Sequence, residues 1–120
     1  MPHGKYIKYK IISGVSNIVS DEVFLLEETH DKIATNHPDV DIERIIKTVE
    51  TPDTICKGNM PNTVVFINNT YVNRHAHPLL VPVKNFVDKP SIITTAYYSS
   101  SKISREPVWV KGEESTNYEQ

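Results

Sequence analysis

The sequence predicts an α+β domain, with an N-terminal strand and one or two helices packed on an antiparallel sheet of about four strands. Three observations carry that expectation. Residues 5–13 alternate in polarity with a period of two. Ile42, Ile45, Ile46 and Val49 recur at helical spacing just after Asp41. From Thr54 onward, short β-branched runs alternate with Gly, Asn and Pro, and no helical period returns. Helices that precede a run of strands, rather than alternate with them, indicate α+β and not α/β.

The elements follow in order. Tyr6, Lys8 and Lys10 oppose Ile7, Tyr9 and Ile11, the pattern of a half-buried strand, and Gly14 breaks it. Residues 23–26 are an apolar run that suits either a strand or the entry to a helix. Glu27, Glu28 and Asp31 then gather acids where the start of a helix favours them. Ile33 is that helix's core residue. Pro38 ends it, because a proline pushes the preceding His37 out of helical backbone space. Asp41 reads as the N-cap of an amphipathic helix over Ile42–Glu50. Its isoleucine stripe should pack on one face of the sheet, leaving polar residues to collect on the other face or its rim.

Residues 54–56 read as a short strand and 58–62 as a turn. A β-branched strand over 63–67 leads to a hairpin-like turn at Asn68 and Asn69, then to a strand over 70–75. A strand over 78–84 follows. Asp88, Lys89 and Pro90 turn the chain into a last long strand, 91–98. Val108, Trp109 and Val110 dock as a final strand. Residues 1–110 are thus read as one domain and 111–120 as a polar, disordered tail.

Bulk composition narrows the function classes. A chain of 120 residues suits one domain. With 38% hydrophobic and 23% charged residues, it has the balance of a soluble globular protein. The formal net charge of −2 provides no global basic field, which argues against high-affinity nonspecific nucleic-acid binding. A local basic cleft stays compatible with it. Cys56 is the single cysteine, so neither an intramolecular disulfide nor a multi-cysteine zinc site can form. The N-terminus lacks the apolar core of a signal peptide and no run reaches transmembrane length, so a cytoplasmic location is expected.

Several residues are suited to chemistry. His37 sits before Pro38 at a helix end and has the side chain most often used as a general acid or base. A surface histidine that merely terminates the helix is an equal reading. Lys84 ends an apolar strand, on the same face as Leu80 and Pro82 by alternation. It suits a phosphate contact or transition-state stabilisation, or simply snorkels from an edge. Thr95 and Tyr97 share one face of the 91–98 strand and are favoured as its exposed pair. Thr94, Ala96 and Tyr98 take the other face, with Thr94 against the core beside Ile92. Tyr97 can stack on a base or hydrogen-bond a phosphate. His75 and His77 flank Ala76 near a strand end. With Arg74 they form a cationic patch, and with His37 they are a weaker three-histidine metal candidate. No glycine-rich phosphate loop, Gly-x-Ser-x-Gly or His-Glu-x-x-His occurs.

The succession Lys32-Ile33-x-x-x-His37-Pro38, Pro52-Asp53-x-Ile55, Leu80-Val81-x-Val83-Lys84 and Ile93-Thr94-Thr95-Ala96-Tyr97 resembles the phage-associated barnase/EndoU/colicin/RelE-like nuclease domains. The likeness spans about residues 23–100. It rests on the order of short motifs rather than on any one of them. It implies a helical N-terminal part against a four-stranded antiparallel sheet, and cleavage of RNA by 2′-hydroxyl attack without metal or cofactor. Carried over, His37 is the acid or base, Lys84 contacts phosphate, and Thr95 and Tyr97 bind or orient it. Lys32, Arg74 and His77 join Lys84 in a basic substrate cleft. The implied partners are RNA, with tRNA among the candidates, and a cognate inhibitor protein of a toxin-like or mobile-element nuclease. Lys32 is a departure, since members often carry histidine before the isoleucine, and His30 or His37 then has to substitute.

Two other function classes compete. A noncatalytic module on the same scaffold (an immunity protein, adaptor or degenerate nuclease) would dock a basic partner on Glu27, Glu28, Asp31, Asp39, Asp41 and Glu43. Helix dipoles alone also explain those acids. A metal hydrolase would require His37, His75 and His77 to converge.

Overall fold

In the computed structural model, which describes residues 6–13, 15, 19–86, 89–100 and 106–112, two helices share a core with one face of a large mixed sheet. The element order is β1 (Ile7–Ile12), β2 (Glu22–Leu26), α1 (Glu27–Asn36), α2 (Ile42–Glu50), β3 (Thr54–Lys57), β4 (Thr63–Val72), β5 (Pro78–Phe86), β6 (Lys89–Ile93), β7 (Tyr97–Tyr98) and β8 (Pro107–Val110). The α+β class is as expected, but the described residues form eight strands rather than about four. Across the sheet they run β1-β2-β6-β5-β4-β3-β8, with β7 on β5. The N-terminal hairpin supplies the surplus on one side, and β8 on β3 supplies it on the other. The sheet is also not wholly antiparallel, because β2 lies parallel to β6 through Val23–Ser91 and Phe24–Ile92. That junction is sealed by hydroxyls. Ser91 N–H donates to Ser20 Oγ at 2.8 Å, and Ser20 Oγ–H donates to the Glu22 carbonyl at 2.7 Å.

Helix α2 forms where its pattern predicts. Asp41 stays extended and accepts a hydrogen bond from Glu43 N–H at 3.1 Å, which satisfies one of the donors a helix start leaves open. Ile45 and Val49 bury completely and Ile42 and Ile46 pack beside them. The stripe lies over β5, β4 and β1. Its counterpart on the sheet is Ile55, Phe66, Leu79, Val81, Val83 and Ile93, all without exposed surface. Phe66, the largest of these side chains, contributes about 2–3 kcal/mol by leaving water. Helix α1 adds Ile33 to the same core and ends at His37, whose N–H bonds the Ile33 carbonyl at 2.7 Å.

Three sequence expectations are corrected. Asn68 and Asn69 do not turn the chain, because β4 runs through both to Val72. Buried Asn68 donates from Nδ2 to the Thr51 carbonyl at 2.9 Å and accepts from Thr70 N–H at 2.8 Å, absorbing its polarity inside the structure. The reversal comes later, at residues 73–77, so His75 and His77 lie in a loop rather than on a strand. The expected strand 91–98 is split, since residues 94–96 leave the ladder between β6 and β7. Strand β1 forms, but only its Ile11 is buried, whereas Ile7 and Tyr9 are exposed. Lys5, Gly14, Asp88 and residues 113–120 of the tail expected over 111–120 lie outside the described residues. Lys111 and Gly112 form a turn after β8.

Candidate functional site

Among the described residues, the sheet's other face carries no part of the main core. A small apolar patch of Cys56, Val65, Ile67 and Leu80 lies there, with Tyr97 packed against it. Beside the patch opens a groove of about 300 Å³. Its floor is Val65 and Pro82, which pair directly between β4 and β5. One end holds Lys84, directly opposite Thr63 in the same ladder. Tyr97, opposite Leu80 on β5, holds the other end. Lys84 lies four residue steps along the strand from Leu80, so the two ends stand about 13 Å apart along the sheet. Thr94 and Thr95 occupy the middle. The β3–β4 turn, with Gly58, Asn59 and Met60, forms the side wall.

Alternation along β5 thus placed Lys84 on the face with Leu80 and Pro82, and Thr95 and Tyr97 reach the same groove. Thr94 departs from expectation. It is exposed and lines the groove instead of lying against the core. The reason is that Ile93, opposite Val83, is the residue that meets the core, so Thr94 shares the outer face of Ile92 and Lys84. The break at residues 94–96 then reverses the alternation and brings Tyr97 to that same face. Thr63 was missed, because its place opposite Lys84 depends on the β4–β5 register, which no local signal reveals.

Lys84 is the only charged residue among the described residues that line the groove. It is exposed, lies 5.6 Å from the Phe86 ring centroid and pairs with no carboxylate among the described residues. The groove therefore has a cationic end and an aromatic end joined by hydroxyls, over an apolar floor. That is a complement to an anion linked to a planar ring. His37 does not line the groove. Its ring centroid stands 5.9 Å from that of Tyr97, tilted by 34°, so the imidazole borders the aromatic end. The His37 backbone is pinned on both sides, its N–H to Ile33 and its carbonyl to Val40 N–H at 3.0 Å.

The remaining expected residues lie elsewhere. Arg74 lines a second depression on the helix side of the sheet, of about 510 Å³, together with Arg44 and Tyr98. Lys32 is exposed on α1, and neither it nor His77 lines either depression. The three-histidine arrangement is not formed. His75 and His77 have ring centroids 6.0 Å apart, but among the described residues no three His, Cys, Asp or Glu side chains gather as a metal set. Among the described residues, no helix is long and apolar enough to cross a membrane.

Compared with models of known families, with curated proteins and with solved structures, the chain finds no match in any of the three.

Proposed function

We propose that the groove binds single-stranded RNA and that the protein is a small metal-independent ribonuclease. The observation that carries this reading is the meeting of Lys84, Thr95 and Tyr97 in one groove, with the His37 ring at its aromatic end. In the reaction, the 2′-oxygen bonds to the adjacent phosphorus as the bond to the 5′-oxygen breaks. The products are a 2′,3′-cyclic phosphate and a 5′-hydroxyl. His37 carries one of the two protons, as base toward the 2′-hydroxyl or as acid toward the leaving 5′-oxygen, and water carries the other. Lys84, at the opposite end of the groove from His37, contacts a neighbouring phosphate of the strand and fixes its register. Thr95 orients the phosphate, and Tyr97 stacks a neighbouring base. The order of motifs that resembles barnase/EndoU/colicin/RelE-like nucleases supports the same assignment.

A second reading, a noncatalytic module that binds a basic protein, has its own support. Glu27, Glu28, Asp31, Asp39, Asp41 and Glu43 are all exposed, and among the described residues none forms an ion pair. The groove also carries no carboxylate among its described lining residues to partner His37.

Cleavage of total RNA and of a tRNA pool in EDTA separates the two. The nuclease reading expects cleavage by the wild type, slowed about 10²-fold or more by His37→Ala and less strongly, through weaker substrate binding, by Lys84→Ala, with cyclic phosphate ends. Lack of cleavage at high protein concentration, or cleavage that both variants retain, overturns it. A pull-down with the acidic surface intact and neutralised then tests the binding module.

A further inference from the structure

The second depression lies back to back with the groove. Tyr97 and Tyr98 are consecutive residues of β7, and their side chains take opposite faces, Tyr97 into the groove and Tyr98 into the helix-side cleft. The turn between the helices repeats this arrangement. His37 stands at Tyr97, and Asp39, two residues on, lines the cleft. The two depressions therefore share one rim, made of β7 and the α1–α2 turn.

The cleft is built around a guanidinium held in place. Arg44 Nη1 donates to Tyr98 Oη at 2.8 Å and to the Val72 carbonyl at 3.3 Å, and its guanidinium carbon stands 5.4 Å from the Tyr71 ring centroid. These contacts fix the group without neutralising it. No carboxylate of the described residues forms an ion pair with Arg44 or Arg74. Arg74 comes from a loop that is itself ordered. Asn73 Oδ1 accepts from both His75 N–H at 2.9 Å and His77 N–H at 3.0 Å, and Asn73 N–H bonds the His77 carbonyl at 3.0 Å. Ala76 is held in the left-handed region at φ 63°, a conformation that costs a non-glycine residue energy and that the loop sustains. Arg74 Nε in turn donates to His75 Nε2 at 3.4 Å. Two arginines face one exposed carboxylate, Asp39, so the cleft keeps a positive balance.

We propose that this cleft binds a backbone phosphate of the nucleic acid whose scissile region occupies the groove, so that one strand serves both faces by crossing the β7 rim. The inference rests on the groove being a nucleic-acid site. It adds a second anchor, with Arg44 preorganised and Arg74 closing on the phosphate. A single-strand phosphate contact changes the logarithmic salt slope by about 0.7, which amounts to about fivefold in affinity at 0.1 M salt.

The test uses fluorescein-labelled 2′-O-methyl RNA, which the proposed chemistry cannot cleave, as a trimer and as a dodecamer. Anisotropy is read across a salt series for wild type, Arg74→Ala, Arg74→Lys, Lys84→Ala and Lys111→Ala. Lys111 is an exposed lysine on neither depression and serves as the control for net charge. The proposal expects Arg74→Ala to weaken the dodecamer about fivefold, with a shallower salt slope, and to leave the trimer unchanged. Arg74→Lys should recover most of the loss. Equal effects of Arg74→Ala and Lys111→Ala, or a dodecamer that binds no tighter than the trimer, overturns the cleft. The groove has its own readout, since Lys84→Ala should weaken both lengths. If Lys84→Ala is silent while Arg74→Ala still weakens the dodecamer, the groove reading and the shared strand both fail, and the cleft is a phosphate site in its own right.

Discussion

Alanine at position 58 puts a methyl group where the β3–β4 turn has no room. An ideal Cβ on Gly58 would lie 2.8 Å from the Thr63 carbonyl oxygen and 2.9 Å from Thr63 Cγ2. The backbone of Gly58 is not in the left-handed region, so the demand is for space rather than for conformational freedom. The side-chain methyl can rotate away, but the carbonyl cannot. It accepts the Gly58 N–H at 2.9 Å, and its residue is fixed opposite Lys84 in the ladder. Overpacking of this kind costs about 1–3 kcal/mol, and the stiffer unfolded chain returns about 0.4–1 kcal/mol. A net loss of about 1–2 kcal/mol results. With about 2.1 cal/mol/K of unfolding entropy per residue, a chain of this length loses about 4–8 °C in Tm. Thermal unfolding followed by circular dichroism, with a urea titration to confirm an unchanged slope, measures it. Because Thr63 and Gly58 both wall the groove, the same variant should weaken trimer binding. A Tm equal to or above that of the wild type would refute the close approach and the shape of that wall.

Other substitutions probe other parts. Ala76→Gly relieves the left-handed residue in the 73–77 loop and should raise stability by about 0.5–1 kcal/mol, read as a Tm about 2–4 °C higher. Asp41→Ala removes the cap on Glu43 N–H and should cost about 1 kcal/mol, while Asp41→Asn keeps most of it, as urea midpoints would show. Thr48→Val is expected to be neutral or slightly stabilising. Among the described residues the fully buried Thr48 hydroxyl donates to the Arg44 carbonyl alone, at 2.7 Å, and that carbonyl lies inside α2, where the helical ladder supplies it an N–H partner. A loss above about 1.5 kcal/mol would mean the hydroxyl does more than duplicate the ladder.

What could be read from the sequence was whatever local chemistry decides. The limits of α2 followed from Asp41 and the isoleucine spacing, and they match the structure. The end of α1 followed from Pro38. Lys84 was placed on the correct face because β5 keeps its alternation from Leu80 onward. What was hidden depends on distant partners. Asn68 looks like a turn residue until the Thr51 carbonyl is beside it. Thr94 looks like a core-facing strand residue until the pairing of Ile93 with Val83 shows which parity of β6 meets the core. Arg44 looks like an ordinary polar-face residue of α2. Only the β7 side chain that receives its hydrogen bond marks it as part of a cleft. The number of strands was underestimated for the same reason, since β1, β2 and β8 join the sheet through pairings that no neighbouring residue announces.

The parallel seat of β2 against β6 also sets a timetable. Val23 pairs with Ser91, 68 positions later in the chain. At about 5–20 residues per second on the ribosome, roughly 3–14 s pass between the emergence of the two strands. Throughout that interval the inner edge of the N-terminal hairpin has nothing to pair with, and the stripe of α2 waits for β4 and β5. The chain thus spends its first seconds with an open strand edge and an uncovered apolar helix face, and holdase chaperones or a second nascent copy have their best opportunity to bind it then.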